Sequence, residues 1–122
     1  MAIESYRDLL VWQRGLELAA KAYDITKNFP KQELFGMTSQ IRRSASSIPA
    51  NIAEGYGRDS RGEYVQFLRI AQGSLKELET HLILSQRVGL AEGSRVAPLL
   101  EQATTLGKMI RSLIGSLQRK LS

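Results

Sequence analysis

The 122-residue sequence contains no cysteine, a single histidine and only three prolines. Without cysteine the chain has no disulfide, thiolate metal ligand or cysteine nucleophile, which fits a reducing compartment. Three prolines and ten glycines are too few to indicate a low-complexity or disordered segment. The sequence also lacks a run of about 18 apolar residues, so we expect no membrane-spanning segment.

The familiar patterns of catalytic and metal-binding residues are missing as well. A di-iron bundle needs two Glu-x-x-His pairs, but His81 is the one histidine and residue 78 is a leucine. Zinc would lack a second histidine or a cysteine. Gly-x-Ser-x-Gly is absent, and Gly55-Tyr56-Gly57 lacks the Gly-Lys-Ser/Thr of a phosphate loop. We therefore expect no catalytic site, metal or cofactor, and we interpret His81 as a partly buried structural residue.

Charge and composition set broad limits on the function. Seventeen Lys and Arg residues against twelve Asp and Glu residues give a net charge of +5. Such a surface attracts nucleic acid and other polyanions, although an ordinary solvated surface can carry the same charge. A hydrophobic content of 43 % is enough for a core, and the length favours one domain over residues 1–122. The first residues lack a signal-peptide core, so we expect a cytoplasmic protein.

Apolar residues recur at spacings of three and four in four stretches, which predicts four helices. The predicted helices span about 7–28, 32–56, 60–88 and 94–121. Ser60 and Glu63 form a capping-box pattern at the start of the third helix, and Gly89 fits its C-terminal cap. No stretch alternates with period two. The pattern predicts an all-α, antiparallel up-and-down four-helix bundle.

Each predicted helix has an apolar stripe that we assign to the core. In the first helix the assigned stripe is Leu9, Trp12, Leu16, Ala19 and Tyr23. The stripe of the second helix is Leu34, Thr38, Ile41, Ala45, Ile48, Ile52 and Gly55. The stripe of the third is Tyr64, Leu68, Ala71, Leu75, Leu78 and Leu82. The stripe of the fourth is Val96, Leu99, Ala103, Leu106, Ile110, Leu113 and Leu117.

Pro49 lies inside the second predicted helix, where it removes one backbone hydrogen bond. Because the apolar period continues on both sides of it, we expect the helix to kink at Pro49 and not to open into a loop. Two interpretations stay open. The kink either serves packing alone, or it exposes Asn51 and Glu54 as a polar contact site.

Three segments of the sequence resemble those of a known protein family. "SIPANIAEGYGR" followed by "FLRIAQGSLKELETHL" closely resembles the 23S rRNA intervening-sequence proteins, and the opening "YRDLLVWQRGLELAAKAYDIT" is similar to that family too. Pro49, Asn51, Glu54 and Gly55 carry the motif. The resemblance extends over about residues 5–90, and the fourth helix matches in pattern more than in residues.

This resemblance implies a bacterial cytoplasmic protein with a left-handed bundle that assembles into a homo-oligomeric ring, with a pentamer expected. The accessory proteins of diversity-generating retroelements are similar in fold. Those proteins form basic pentameric barrels and act with a reverse transcriptase, so a nucleic-acid enzyme of that kind is one partner that the resemblance implies. The family name does not itself establish a ribosomal role.

A second apolar stripe suggests where copies of the chain would meet. It consists of Val11, Leu18 and Ile25 on the first helix, with Ile70 and Leu84 away from the main stripe of the third. A bundle helix needs one apolar stripe, so a second indicates an interface with another subunit. The alternative is a wide core face with scattered exposed leucines.

Basic residues form two groups that could contact phosphate. Lys108, Arg111 and Arg119 lie on one predicted outer face of the fourth helix, and the competing group is Arg42, Arg43, Arg58, Arg61 and Arg69. No cluster of aromatic residues accompanies either group, so any binding would follow the nucleic-acid backbone. The leading hypothesis is a non-catalytic, self-assembling bundle that binds RNA, DNA or a nucleoprotein partner. The alternative is an oligomeric protein-interaction scaffold without a nucleic-acid role.

Overall fold

The structure is a computed structural model that describes residues 2–119. Over these residues the regular structure is entirely helical, with no strand. The long helices are α1 (Leu10–Thr26), α2 (Met37–Tyr56), α3 (Arg61–Arg87) and α4 (Gly93–Arg119). The predicted all-α four-helix fold is confirmed, and positions 120–121 of the predicted fourth helix lie outside the described residues.

The first two predicted helices begin later than the sequence pattern indicates, each after a separate 3₁₀ turn. Tyr6–Asp8 forms the first turn, because the Ser5 hydroxyl accepts from the Arg7 amide and the Asp8 carboxylate accepts from the Ser5 amide. Lys31–Glu33 forms the second. A capping box therefore closes the first turn, whereas the second follows Pro30 without a side-chain cap, and its Glu33 carboxylate accepts from the Met37 amide at the start of α2.

The ends of α3 agree with the predicted signals. The Ser60 hydroxyl accepts a hydrogen bond from the Glu63 amide at 3.1 Å, which supplies a partner for a free amide of the first turn. After Arg87, Gly89 adopts a φ of +81° and reverses the chain towards α4. This left-handed conformation is accessible to glycine without steric cost.

Each long helix packs beside its neighbours in sequence, and α4 returns to pack beside α1. Helices α1 and α2 run antiparallel: Arg42 reaches Thr26 at one end of the pair, whereas Ile52 faces Gly15 farther along. One core lies between the four helices. None of the helices in residues 2–119 combines the length and hydrophobicity that a membrane span requires.

Helix α2 continues without interruption through Pro49. Ile41 and Ile48 on one side and Ile52 on the other are all fully buried, so the apolar register is unbroken. The Pro49 ring is itself buried, with its Cβ 3.6 Å from the position of a Cβ on Gly15. A continuous helix at this position agrees with the sequence, whereas the kink and the left-handed turn of the bundle stay predictions.

The assignment of stripes on α1 was wrong in part: Ala19 is buried and Leu9 and Trp12 pack against the core as predicted, but the other assignments are reversed. Leu18 is 1 % exposed, and Val11 and Ile25 are also core residues, whereas Leu16 is 48 % exposed and Tyr23 is exposed to a similar degree. Both stripes have helical spacing, so periodicity does not distinguish them. The direction from which α2 and α4 approach decides which one is buried, and it excludes Val11, Leu18 and Ile25 from a subunit interface.

Candidate nucleic-acid interface

The polar residues of the Pro49 motif join α2 to α3. The Asn51 side-chain amide donates to the carbonyl oxygen of Ser47 at 2.8 Å and to its hydroxyl at 2.9 Å. The same hydroxyl lies 2.8 Å from the Ser74 hydroxyl on α3. Asn51 thereby orients Ser47 towards the neighbouring helix and takes a structural role.

The other end of the motif also packs against α3. A Cβ on Gly55 would stand 2.8 Å from the Phe67 Cβ, a separation that real Cβ atoms do not tolerate. Glu54 forms an ion pair with Arg58 at 2.9 Å, and the Arg58 guanidinium lies 4.6 Å from the centre of the Phe67 ring. The motif is therefore a helix-packing element, which explains why small residues lie inside a long helix.

The five arginines assigned to helices two and three do not form one patch. Arg42 donates to the Thr26 hydroxyl at 2.9 Å and lies over the Tyr23 ring, on the α1 side of α2. Arg58 is paired with Glu54 about 24 Å farther along the bundle, given 1.5 Å per residue. Arg43 is exposed near Arg42, and Arg61 lies at the start of α3. With Arg69 farther along α3, the predicted second group is divided among three places: Arg42 with Arg43, Arg58 with Arg61 at the turn between α2 and α3, and Arg69 alone.

A groove between α3 and α4 brings together basic residues from the two predicted groups. It has a volume of about 580 Å³. Its lining is Arg69, Gln72, Gly73, Lys76, Arg111, Ile114, Gly115 and Gln118. We call it the α3/α4 groove. None of these described lining residues is acidic, and Arg69 and Arg111 form no ion pair within residues 2–119.

Other cations lie beside this groove. Arg119 turns back over its α4 wall, with a guanidinium nitrogen 3.4 Å from the position of a Cβ on Gly115. Lys108 is exposed one turn before Arg111. Lys76 is held by Glu79 at 2.9 Å, and the Glu79 side chain is only 16 % exposed. The groove therefore carries a net positive charge, which the carboxylate of Glu79 partly offsets.

Two of the residues that line the α3/α4 groove are glycines, Gly73 on α3 and Gly115 on α4. A Cβ added at Gly73 would meet no atom within 4 Å, so open space lies above α3 at this point. Gln72 donates to the Gly107 carbonyl at 3.0 Å and ties the two walls together below it. Sequence reasoning missed Lys76 and Gly73 as site residues, although Arg69 and Lys76 are seven apart and share a helix face.

An apolar surface lies on another side of the bundle, between α1 and α2. A groove of about 450 Å³ is lined there by Trp12, Leu16, Ala19, Ala20, Tyr23, Ser46, Pro49 and Ala50. We call it the α1/α2 apolar surface. Phe35, which is 93 % exposed, and Leu34 follow at one end. Ile70 and Leu84 are exposed on the outer side of α3, which agrees with their predicted position.

Two further polar features lie outside the α3/α4 groove. His81 is half-buried as expected, and its Nδ1 is enclosed without a hydrogen-bond partner, as is the Ser85 hydroxyl one turn later. Burial raises the pKa of Tyr64 from 10.0 to about 12, and the Tyr56 phenol beside it adds to the increase. Within residues 2–119 no three His, Asp or Glu side chains cluster as metal ligands would.

Comparison with known proteins agrees with this architecture. The family described as "23S rRNA-intervening sequence protein" matches residues 7–112. A solved structure of a protein of unknown function, from the S23 ribosomal protein family of Bacteroides thetaiotaomicron, is 30 % identical. The match covers 86 % of this chain and 98 % of that one, with a TM-score of 0.77. No curated protein matches the sequence. The chain belongs to the 23S rRNA-intervening sequence protein family.

Proposed function

We propose that this protein is a non-catalytic, self-assembling four-helix bundle that binds the backbone of RNA or DNA in the α3/α4 groove. One observation carries the proposal: Arg69 from α3 and Arg111 from α4 line one groove whose described lining has no carboxylate. Neither guanidinium is engaged in an ion pair among residues 2–119. Arginine presents a planar set of donors that suits phosphate oxygens.

The composition of the groove favours binding that depends weakly on sequence. Its lining supplies cations and amide groups, which commonly contact phosphate and sugar oxygens. Phosphate contacts release condensed counterions, so the affinity should fall steeply as the salt concentration rises. A basic groove repeated in an assembly would add avidity for a long polyanion.

We propose that copies of the chain meet through the α1/α2 apolar surface. This surface exposes apolar side chains of α1, namely Trp12, Leu16 and Tyr23, beside Pro49 and Ala50 of α2. Exposed apolar surfaces of this kind mark interfaces. Ile70 and Leu84 are single exposed apolar residues about 21 Å apart along α3, and each offers a contact for that surface on the next subunit. A contact between two different faces allows a head-to-tail ring, for which the family resemblance favours a pentamer in the cytoplasm.

The same apolar surface favours a second candidate function, a protein-interaction scaffold whose positive charge is incidental. Its partner would be another protein, such as a nucleic-acid enzyme of the reverse-transcriptase kind. The two candidates differ in one measurable property, which is whether the protein alone retains nucleic acid in a salt-dependent manner.

Fluorescence anisotropy with labelled RNA and DNA, at low and moderate salt, tests the proposed function. Arg69→Glu combined with Arg111→Glu should weaken binding to many sequences alike. Lys21→Glu combined with Lys31→Glu makes the same change in net charge outside the groove and serves as the control. Absence of binding by the unmodified protein at low salt would leave the scaffold as the better function. Equal losses in both double variants would exclude the groove as the site.

A further inference from the structure

Exposed residues on the outer side of α3 repeat every seven positions. The four members are Glu63, Ile70, Glu77 and Leu84. Successive members lie about 10 Å apart along the same helix face, so carboxylates and apolar side chains alternate in one line. We call this line the α3 acidic stripe. None of its members lines the α3/α4 groove, and Glu77 forms no ion pair within residues 2–119.

One end of the α1/α2 apolar surface is basic. Arg43 lies there with Tyr23 and Phe35, in a depression whose described lining contains no carboxylate. Arg43 is exposed and forms no ion pair within residues 2–119, whereas Arg42 beside it is held by the Thr26 hydroxyl. An apolar surface that ends in such a cation is complementary in charge to a stripe in which apolar side chains alternate with carboxylates.

Contacts between α2 and α3 give the height of the α3 acidic stripe along the bundle. The two helices run antiparallel and meet where the Ser47 hydroxyl lies 2.8 Å from the Ser74 hydroxyl. Ile70 comes four residues before Ser74, so it lies level with position 51 of α2. Glu77 comes three residues after Ser74, so it lies level with position 44, because the rise per residue is the same in both helices.

The α1/α2 side has matching groups at these two heights. Ala50 lies in the α1/α2 apolar surface beside Leu16, and Arg43 lies at its basic end. Ala50 is one residue from the position level with Ile70, and Arg43 is one residue from the position level with Glu77. A second copy related by rotation alone, about an axis parallel to the helices, keeps each residue at its own height. Rotation without a shift along the axis closes a ring, whereas a shift gives an open filament.

We infer that the α3 acidic stripe of one copy docks on the α1/α2 apolar surface of the next, with Glu77 paired to Arg43 across the contact. This inference rests on the proposed self-assembly and deepens it, since it names the partner face, the ion pair and the register. The occupant is a second copy because the complementary stripe is part of this chain and lies at the matching height. The contact uses none of the residues that line the α3/α4 groove.

Exchange of the two charges tests the ion pair, with self-association measured by analytical ultracentrifugation and folding by circular dichroism. Arg43→Glu alone and Glu77→Arg alone place like charges opposite each other, so each should weaken self-association roughly ten-fold or more. The combined variant restores an attractive pair and should recover most of the affinity. Lys21→Glu and Glu101→Arg make the same charge changes on the α1/α4 side and should leave assembly unchanged.

Disulfide trapping tests the register, since the natural chain contains no cysteine. A mixture of Ala50→Cys protein with Ile70→Cys protein should form a covalent dimer under mild oxidation. A mixture of Ala50→Cys with Leu84→Cys should not, because residue 84 lies about 21 Å farther along α3. Each disulfide formed in these mixtures joins two different copies, so a non-reducing gel gives the result directly.

Three results would overturn the docking inference while leaving self-assembly intact. They are single charge reversals that assemble normally, a combined variant that is no better than either reversal, and cross-linking through residue 84 in preference to residue 70. An unmodified protein that is monomeric at micromolar concentration would instead overturn the proposed self-assembly itself.

Discussion

Gly55 on α2 faces Phe67 on α3 so closely that a Cβ on residue 55 would stand 2.8 Å from the Phe67 Cβ. Two further atoms of Tyr64 would lie at 3.2 Å, one of them a backbone oxygen that cannot move aside. The helices meet backbone to backbone at this point. The position of the loop between α2 and α3, and with it the start of α3, depends on this contact.

Gly55→Ala should therefore destabilise the protein even though alanine is the better helix former. Overpacking of this kind costs about 1–3 kcal/mol, against a gain in helix propensity of about 1 kcal/mol. Gly73→Ala is the matched control, because its Cβ meets nothing within 4 Å and only the propensity gain remains. Urea denaturation of both variants checks the prediction, which fails if Gly55→Ala is the more stable of the two.

The two stripes of α1 predict opposite effects for two leucines two residues apart. Leu18→Ala should lower the free energy of unfolding by about 2–5 kcal/mol, since it leaves a cavity in the core. Leu16→Ala should change the stability of the monomer by about 0.5 kcal/mol or less and weaken self-association. Denaturation combined with light scattering distinguishes them. An unchanged assembly of Leu16→Ala would exclude the α1/α2 apolar surface around Leu16 as the interface.

Glu79 should restrain binding at the α3/α4 groove, since it holds Lys76 at 2.9 Å. Glu79→Gln releases this lysine, so the affinity for single strands should increase and the salt slope should steepen by about 0.7, the value for one phosphate contact. Glu77→Gln makes the same charge change at an exposed neighbour that forms no ion pair within residues 2–119. Equal gains in both variants would point to net charge alone.

The raised pKa of Tyr64 should make the folded protein less stable at alkaline pH. Its pKa is 10.0 in the unfolded chain and about 12 in the folded one, raised by burial and by the Tyr56 phenol. Between these values the unfolded state loses its phenolic proton first, so the free energy of unfolding should fall as the pH rises from 10 to 12. Tyr64→Phe should reduce this fall. Denaturation across that pH range, with phenolate absorbance as a second measurement, checks the prediction.

Much of the fold could be predicted because its signals are local. Ser60 caps α3 through a hydroxyl that accepts from the amide of Glu63, three residues along the chain, and Gly89 ends the helix through its own backbone. The continuity of α2 through Pro49 was predicted from residues that are fully buried on both sides of it, such as Ile48 and Ile52. These features depend on a few neighbouring residues and need no knowledge of the other helices.

The site was harder to predict because its members come from separate helices. Arg69 was grouped with the arginines of α2 by proximity in sequence, yet it shares its groove with Arg111, more than forty positions away. Arg42 and Arg58 look equivalent in the sequence. One of them contacts Tyr23 and Thr26, whereas the other is paired with Glu54.

The sequence by itself determined four amphipathic helices, their caps and the family, because apolar periodicity and capping hydrogen bonds depend on residues close together in the sequence. Only the tertiary structure decided which face of α1 is buried and which cations share a groove. Leu16 and Leu18 are equally apolar, and a helix surrounded by apolar residues over a wide arc can turn either stripe inwards. The positions of α2 and α4 bury Leu18, and the packing of α3 against α4 places Arg69 and Arg111 on one groove.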